Sequence, residues 1–144
     1  MNAAAWLSTL KQSLWSVLIV AFTYTFGVAI AASEASLTGS DQIPAVATSA
    51  SGNATINVGP DKSVTGTITT SGLAGTAVHI HVGKAGDTGP AIISLTKTGD
   101  DLWSVPAGAV LTDSQFESYK AGELYIDVHS AAHHSGELRG QIRP

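Results

Sequence analysis

Short runs of alternating apolar and polar residues, separated by turn residues, fill the chain after its first third. Ala54, Ile56 and Val58 alternate with polar residues, a turn follows at 59–62, and the alternation resumes over 63–70. A period of two is typical of a strand with one buried face. Further runs of this kind occupy residues 77–82, 91–96, 102–105, 124–129 and 137–143. The pattern predicts an all-β fold, a small antiparallel, Greek-key-like sandwich or barrel.

One segment with helical spacing interrupts the strands. Thr112 can cap a helix, and Gln115, three residues later, completes a capping box. Phe116 and Tyr119 form an apolar i,i+3 pair, and Gly122 is a residue type that commonly ends a helix. The sequence therefore predicts one short helix, which packing must hold in place because short helices are unstable alone.

The first 31 residues differ in composition from the rest. No charged residue occurs from 14 to 32, and the apolar run ends in Ala-Ile-Ala at 29–31, a pattern that signal peptidase accepts. We predict a signal peptide over 1–31 and a single domain over 32–144, with an N-terminal membrane anchor as the alternative. Either prediction places the domain outside the cytoplasm, in the periplasm or secreted. Contact with a membrane is expected only if the leader stays uncleaved.

Composition and charge narrow the classes of function. Residues 32–144 hold six Lys or Arg and eleven Asp or Glu, a net charge of −5. This charge argues against a nucleic-acid partner, for which a basic patch is expected, and against attraction to anionic lipid. The chain has no cysteine, which excludes disulfides, thiolate metal sites and cysteine nucleophiles.

The polar faces of two predicted strands carry histidine. His79 and His81 alternate with apolar residues in one strand, and His129 shares the polar face of a later strand with Asp127. Rings that face away from the core can converge on one ion, and neutral imidazole nitrogen binds copper(II) and zinc. The sequence predicts a metal site of His79, His81 and His129, with Asp127 orienting a ligating ring.

Two further histidines follow in a loop. His133 and His134 complete the five histidines of the chain, and either is a candidate for a fourth ligand. Copper is the predicted metal, with zinc less favoured, and the lack of a carboxylate cage argues against calcium. The competing interpretation is a surface histidine pair beside a solvated loop, with no metal bound.

Other motifs give little support for catalysis. The glycines of 83–90 fit a tight turn better than a phosphate loop, because no G-K-[ST] occurs there. Ser130, His129 and Asp127 have the residue types of a hydrolase triad, but neighbours on one strand point to opposite faces. No G-x-S-x-G motif occurs either, so no catalytic residue is predicted.

Several segments, in order along the chain, resemble the CHRD (chordin) domain family. They are 37–46 (LTGSDQIPAV), 50–54 (ASGNA), 79–83 (HIHVG), 86–90 (GDTGP), 121–130 (AGELYIDVHS) and 135–142 (SGELRGQI). The resemblance implies a β-rich fold of a kind found in many exported microbial proteins, and no settled activity. Asp127 stands where the family usually carries Asn and His134 where Pro is common, and both add polar groups beside His129.

A more distant resemblance is to copper–zinc superoxide dismutase. That family also has a His-x-His strand, a later Val-His and a Gly-rich final strand, which implies copper ligation by His79, His81 and His129. No histidine between His81 and His129 corresponds to the one that bridges two metals, so the zinc subsite is not carried over.

The function predicted from the sequence is an exported copper-binding protein with a role in copper handling. One alternative is a non-enzymatic module that binds another exported protein or a surface without metal. The other is a redox enzyme of the superoxide dismutase type, which requires an open copper position.

Overall fold

The structure, a computed structural model, describes residues 32–144 as two β-sheets and one helix. Its strands are β1 (Ser33–Leu37), β2 (Ser51–Val58), β3 (Val64–Ser71), β4 (Gly75–Val82), β5 (Ala91–Ser94), β6 (Thr96–Lys97), β7 (Leu102–Ser104), β8 (Leu124–Ser130) and β9 (Leu138–Ile142). The helix, α1, is Asp113–Lys120 and lies between β7 and β8 in the chain. The predicted signal peptide over 1–31 lies outside the described residues. Within 32–144, no helix has the length and apolar character needed to cross a membrane.

The two sheets are antiparallel and form a sandwich. The first has the strand order β1-β2-β3-β7-β6, and the second has the order β5-β4-β8-β9. The all-β prediction is confirmed in its sandwich form, and the described strands form no closed barrel.

The apolar core lies between the sheets and follows the predicted alternation. Ala54, Ile56 and Val58 of β2 are buried, and so are Ile126 and Val128 of β8, which have no exposed surface. Burying a side chain of this size stabilises the fold by about 1.5–3 kcal/mol. The opposite faces of β4 and β8 are thereby left to polar side chains.

Strand β1 was not predicted from the sequence, and it connects the two sheets at one edge. It pairs with β2 and buries Ala35 and Leu37 against the core. Directly after it, the backbone of Thr38 exchanges hydrogen bonds with the backbone of Arg139 in β9, at 3.0 and 2.9 Å. β1 therefore holds the last strand in place, and with it one side of the polar face.

The prediction of one strand over 91–96 is wrong. β5 ends at Ser94 in the four-stranded sheet, and β6 begins at Thr96 in the five-stranded sheet. Leu95 between them is buried, and its N–H donates to the carbonyl of Val78. The chain changes sheets at this residue, which an apolar pattern of period two does not reveal.

The predicted helix is confirmed together with its cap. The Thr112 hydroxyl accepts from the Gln115 N–H at 3.3 Å, and the Gln115 side chain accepts from the Thr112 N–H at 2.9 Å. Tyr119 is buried, and its hydroxyl lies 3.1 Å from that of Ser33 in β1. Gly122, just beyond the helix, has a φ of 71°, a conformation that favours glycine.

Loops cover the polar face of the four-stranded sheet. Tyr125 and Asp127 point away from the core, as predicted, yet they are only 3% and 6% exposed. Their cover comes from the segments around Gln42 and Gly89, which hydrogen bond to them. The polar face is thus a second buried layer, and the predicted site lies within it.

Candidate metal site

The antiparallel pairing of β4 and β8 brings together the three histidines of the predicted site. His79 lies opposite Asp127, and the next position along β8 on the same face is His129, opposite Ala77. His81 is two residues from His79 on the same face of β4. One nitrogen from each of His79, His81 and His129 lies within 4.8 Å of the other two, and all three side chains are half-buried.

His129 is oriented by the loop that follows β8. Its Nδ1 lies 2.9 Å from the backbone carbonyl oxygen of His134. Because a carbonyl only accepts, Nδ1 carries the proton and Nε2 keeps its lone pair. That Nε2 lies 3.1 Å from Nδ1 of His79. The lone pair of His129 therefore points into the cluster.

His81 is oriented in the same way by a different loop. Its Nδ1 lies 2.9 Å from the carbonyl oxygen of Gly89. Its Nε2 is buried and has no hydrogen-bond partner among the described residues. Leaving a buried polar atom unpartnered costs about 1–3 kcal/mol, so such an atom in a native fold requires an explanation. The lone pair on His81 Nε2 therefore has no hydrogen-bond donor among the described residues.

The spacing between one nitrogen of His79 and one of His129 suits a shared ion. Imidazole nitrogens bind zinc at about 2.0–2.1 Å, so two of them on one ion lie roughly 2.9–3.4 Å apart at angles between 90° and 109°. The 3.1 Å between His79 Nδ1 and His129 Nε2 falls in this range. The same distance also fits a hydrogen bond between the two rings, which the cluster can make when no ion is bound.

Burial and the neighbouring rings keep His79 neutral. Burial is the main cause that lowers the pKa of His79 from 6.5, and the charges that His129 and His81 acquire on protonation lower it further. The carboxylate of Asp127 acts in the opposite direction but does not prevail. A ligating imidazole must be deprotonated, so this environment prepares His79 for a metal at neutral pH.

Asp127 lies beside the cluster, but it does not orient His129 as predicted. The carbonyl of His134 takes that role, whereas Asp127 Oδ2 lies 3.7 Å from the opposite ring nitrogen, Nε2. Asp127 Oδ1 accepts from the side chain of Gln42 at 2.8 Å. A Cβ at Gly136 would come within 2.3 Å of both partners, so glycine there allows this pair to form.

The rings of His133 and His134 do not join the cluster. Among the residues that the structure describes, only His79, His81 and His129 bring ligand atoms together as a group of three. The loop instead contributes through its backbone, since the His134 carbonyl accepts from His129 and the His133 carbonyl accepts from Gly136. A fourth ligand from these two side chains stays a prediction without geometric support.

The family of this chain can be stated at this point. The CHRD domain family matches residues 33–142, from the start of β1 to the end of β9. The chain belongs to the CHRD domain family. No curated protein and no solved structure matches it. The histidine cluster thus lies inside the CHRD domain, on strands that belong to its sandwich.

A stack of three side chains extends from the cluster across the CHRD domain's polar face. The rings of His81 and Tyr125 are stacked at 4.8 Å with an angle of 15° between their planes. The guanidinium carbon of Arg139 lies 3.6 Å from the centre of the Tyr125 ring. Since β8 lies between β4 and β9, Tyr125 separates the histidine from the arginine. The Tyr125 hydroxyl also accepts from the N–H of Gly89 at 3.1 Å.

Ser130, His129 and Asp127 do not form a hydrolase triad. Ser130 donates its hydroxyl hydrogen bond to Glu137 rather than to His129. Glu137 also accepts from the Thr48 hydroxyl at 2.7 Å. These hydrogen bonds, the one from Ser130 above all, lower the pKa of Glu137 below 4.5 despite its burial. Glu137 is therefore an ionised structural group that fixes two loops.

Sequence reasoning missed the residues that hold the histidines in place. Gly89 and the backbone of His134 fix the rings, Gln42 binds Asp127, and Tyr125 supports Gly89. The pattern of side chains along a sequence does not show which backbone carbonyls will accept a hydrogen bond. The signal available was the position of loops rich in Gly, Pro and Asp next to histidine-bearing strands.

Proposed function

We propose that this CHRD domain is an exported copper-binding protein that holds the ion with His79, His81 and His129. The observation that carries the proposal is the buried, unpartnered Nε2 of His81, on a ring that contributes a nitrogen to the cluster with His79 and His129. A lone pair in that position calls for a group that accepts electrons, and a metal ion is the natural one for three imidazoles.

The donor set supports a divalent ion of the borderline class. Neutral imidazole nitrogen suits copper and zinc, and calcium or magnesium would call for oxygen ligands. Asp127 adds one carboxylate at the edge of the cluster, 6% exposed, which offsets part of the charge that a buried ion brings. Copper(II) is favoured over zinc because a given nitrogen site binds copper(II) more tightly.

The orientation of the rings supports metal binding. His81 and His129 are each fixed through Nδ1 by a backbone carbonyl, and such outer hydrogen bonds raise the basicity of the ligating nitrogen. We infer a role in copper handling, as storage or delivery outside the cytoplasm. The location rests on the signal peptide predicted for residues 1–31 and on the family's occurrence in exported proteins.

Elemental analysis of the untagged full chain tests the proposal. The protein is titrated with copper(II) or zinc, desalted and analysed for bound metal, and one copper per chain is expected. The double variant His79→Ala/His81→Ala is expected to lose it. Its circular dichroism spectrum should stay that of the wild type, because both rings face away from the core.

A matched control is available in the neighbouring loop. His134→Ala also removes one imidazole but keeps the carbonyl that orients His129, so it should retain the full copper content. His133→Ala should do the same. A wild type that retains no metal would overturn the proposal and leave a binding module without metal. Equal copper in the double variant and in His134→Ala would show adventitious binding.

A further inference from the structure

Arg139 is a buried cation with one unused donor. It is 2% exposed, and its Nη2 donates to the carbonyl oxygen of Lys84 at 2.8 Å. The face of Tyr125 covers the guanidinium at 3.6 Å. Its Nη1 is buried and has no hydrogen-bond partner in the part of the chain that the structure describes.

No carboxylate of the protein neutralises this charge. Within residues 32–144, no acidic group lies within 4.0 Å of Arg139. Residues 1–31 contain no Asp or Glu, so their side chains cannot supply the missing charge. A buried and unpaired ion costs several kcal/mol, of which the Tyr125 ring, the Lys84 carbonyl and the side-chain oxygen of Gln141, 3.5 Å from Nη2, offset only a part. The arrangement therefore calls for an anion from outside the chain.

A cavity next to Arg139 has room for one. Its volume is about 270 Å³, near the lower end of the roughly 300–1,000 Å³ typical of ligand pockets. Arg139 and Arg143 both line it, together with Ser36 of β1 and Gly86 of the 83–90 loop. Arg143 is exposed, whereas Arg139 is buried. The lining of the cavity thus includes one exposed and one buried guanidinium group.

Two carboxylates in the same cavity limit the charge of the ligand. Glu34 and Asp41 also line it, but each already accepts a hydrogen bond, from Thr55 at 3.0 Å and from Thr38 at 2.9 Å. Neither carboxylate lies within ion-pair distance of Arg139. Their negative charge disfavours a doubly charged ligand such as phosphate more than a singly charged one.

We propose that this cavity binds a small monocarboxylate, held by the exposed guanidinium of Arg143 and attracted by the buried, unpaired charge of Arg139. A carboxylate supplies the acceptors that a guanidinium group prefers, and one negative charge balances the buried cation. The proposal is independent of the copper site, because Arg139 lies in β9, Arg143 directly follows it, and neither belongs to the histidine cluster. The two sites share only Tyr125, which lies between His81 and Arg139.

A nuclear magnetic resonance titration of the ¹⁵N-labelled full chain tests this proposal. Sodium acetate is the probe, and sodium phosphate and sodium chloride are compared with it at equal ionic strength. We expect saturable shifts of the amides of Ser36 and Gly86 and of the Arg139 guanidinium with acetate. Phosphate should bind more weakly, and chloride should give only small, unsaturated shifts.

Two variants that each remove one positive charge separate a built site from general attraction. Arg143→Gln should weaken acetate binding about tenfold, since it removes a ligand-facing charged donor. Lys84→Gln removes a nearby positive charge, on a side chain that points to Glu123. It leaves intact the Lys84 backbone carbonyl, which accepts from Arg139. It should change acetate affinity by less than about twofold, because an exposed charge that does not touch the ligand is screened.

Three results would overturn the proposal. The first is the absence of saturable shifts with acetate, which would show that no carboxylate binds in the cavity. The second is phosphate binding at least as tight as acetate binding, which would identify an inorganic anion site. The third is an equal loss of affinity in Arg143→Gln and Lys84→Gln. Since Arg143 is exposed, its variant is expected to fold, and the ¹⁵N spectrum reports directly whether it does.

Discussion

At the residue scale, the candidate site depends on which nitrogen of each histidine holds the proton. At His81 and His129 the answer is set by backbone carbonyls, those of Gly89 and His134. Both rings therefore keep Nε2 unprotonated and are oriented before any ion arrives. Preorganisation of this kind reduces the entropy that ligand binding would otherwise cost. A substitution that displaces one of these backbone carbonyls should thus weaken metal binding, even though the histidine that it orients is unchanged.

Tyr125→Phe tests that inference. The hydroxyl accepts from the N–H of Gly89, and Gly89 in turn orients His81. Removing it should lower the free energy of unfolding by about 1–2 kcal/mol. It should also weaken copper binding by roughly tenfold, the lower range for loss of a group that supports a ligand. Urea unfolding and competitive copper titration measure the two effects.

Tyr119→Phe is the matched control for this change. It removes a hydroxyl that lies near Ser33 on the helix side of the domain, so it should reduce stability while leaving copper affinity unchanged. Copper affinities of the two variants that agree within twofold would contradict the role assigned to Gly89.

The lowered pKa of His79 predicts how stability responds to acid in the metal-free protein. The folded state holds fewer protons at this ring than the unfolded state, whose pKa is near 6.5. Stability from this group is therefore present above pH 6.5 and is lost as the pH falls towards the folded pKa. With a chelator present, the urea midpoint of the wild type should fall more between pH 7.5 and 5 than that of His79→Gln. Parallel pH profiles for the two proteins would contradict the assignment.

The sequence predicted that His79, His81 and His129 come together, but not which groups orient them. His79, His81 and His129 were found because strand alternation places side chains by a simple rule and pairs of strands bring such positions together. The separation of His133 and His134 from the cluster was not foreseen, because a loop's path depends on contacts distant in sequence. Asp127 was placed on the correct face, yet its distance from each ring nitrogen required the register of β4 and β8.

At the scale of elements, local rules worked best where the structure itself is local. Helix α1 and its cap involve residues within a few positions of each other, and all were predicted. β1 was missed because Ser33–Leu37 is short, and most of its side chains are small. The split between β5 and β6 was missed because Leu95 is apolar in either arrangement. Only the packing of the two sheets distinguishes one continuous strand from a chain that passes from one sheet to the other at Leu95.

Thr112→Ala tests the helix cap. The change removes the acceptor of the Gln115 N–H and should lower the free energy of unfolding by about 1 kcal/mol, within a range of ~0.5–2. Ser118→Ala, inside the same helix, is the control and should be neutral or slightly stabilising because alanine favours helix. Urea unfolding at pH 7 measures both. A loss no larger in Thr112→Ala than in Ser118→Ala would show that packing, rather than the cap, holds the helix.

At the scale of the whole molecule, the four-stranded sheet separates stability from chemistry. Its inner face carries the apolar core, and its outer face carries the histidine cluster, Tyr125 and Arg139 beneath three loops. Substitutions on the outer face can therefore change ligands while the core stays intact. The loops close over this face without filling it with apolar groups, which leaves polar donors and acceptors available to small ligands.

Metal binding should therefore act on the stability of the entire domain. An ion that binds the folded state alone stabilises it by about 2.7 kcal/mol at a free concentration 100 times its Kd. For a domain of this size, that corresponds to a rise in Tm of roughly 10 °C or more. Weak binding of copper to the histidines of the unfolded chain reduces the rise without reversing it. Differential scanning calorimetry should show the increase in the wild type and in His134→Ala, and not in His79→Ala/His81→Ala. An equal shift in all three proteins would mean that the stabilising ion sits elsewhere, and a lower Tm would mean that copper prefers the unfolded chain.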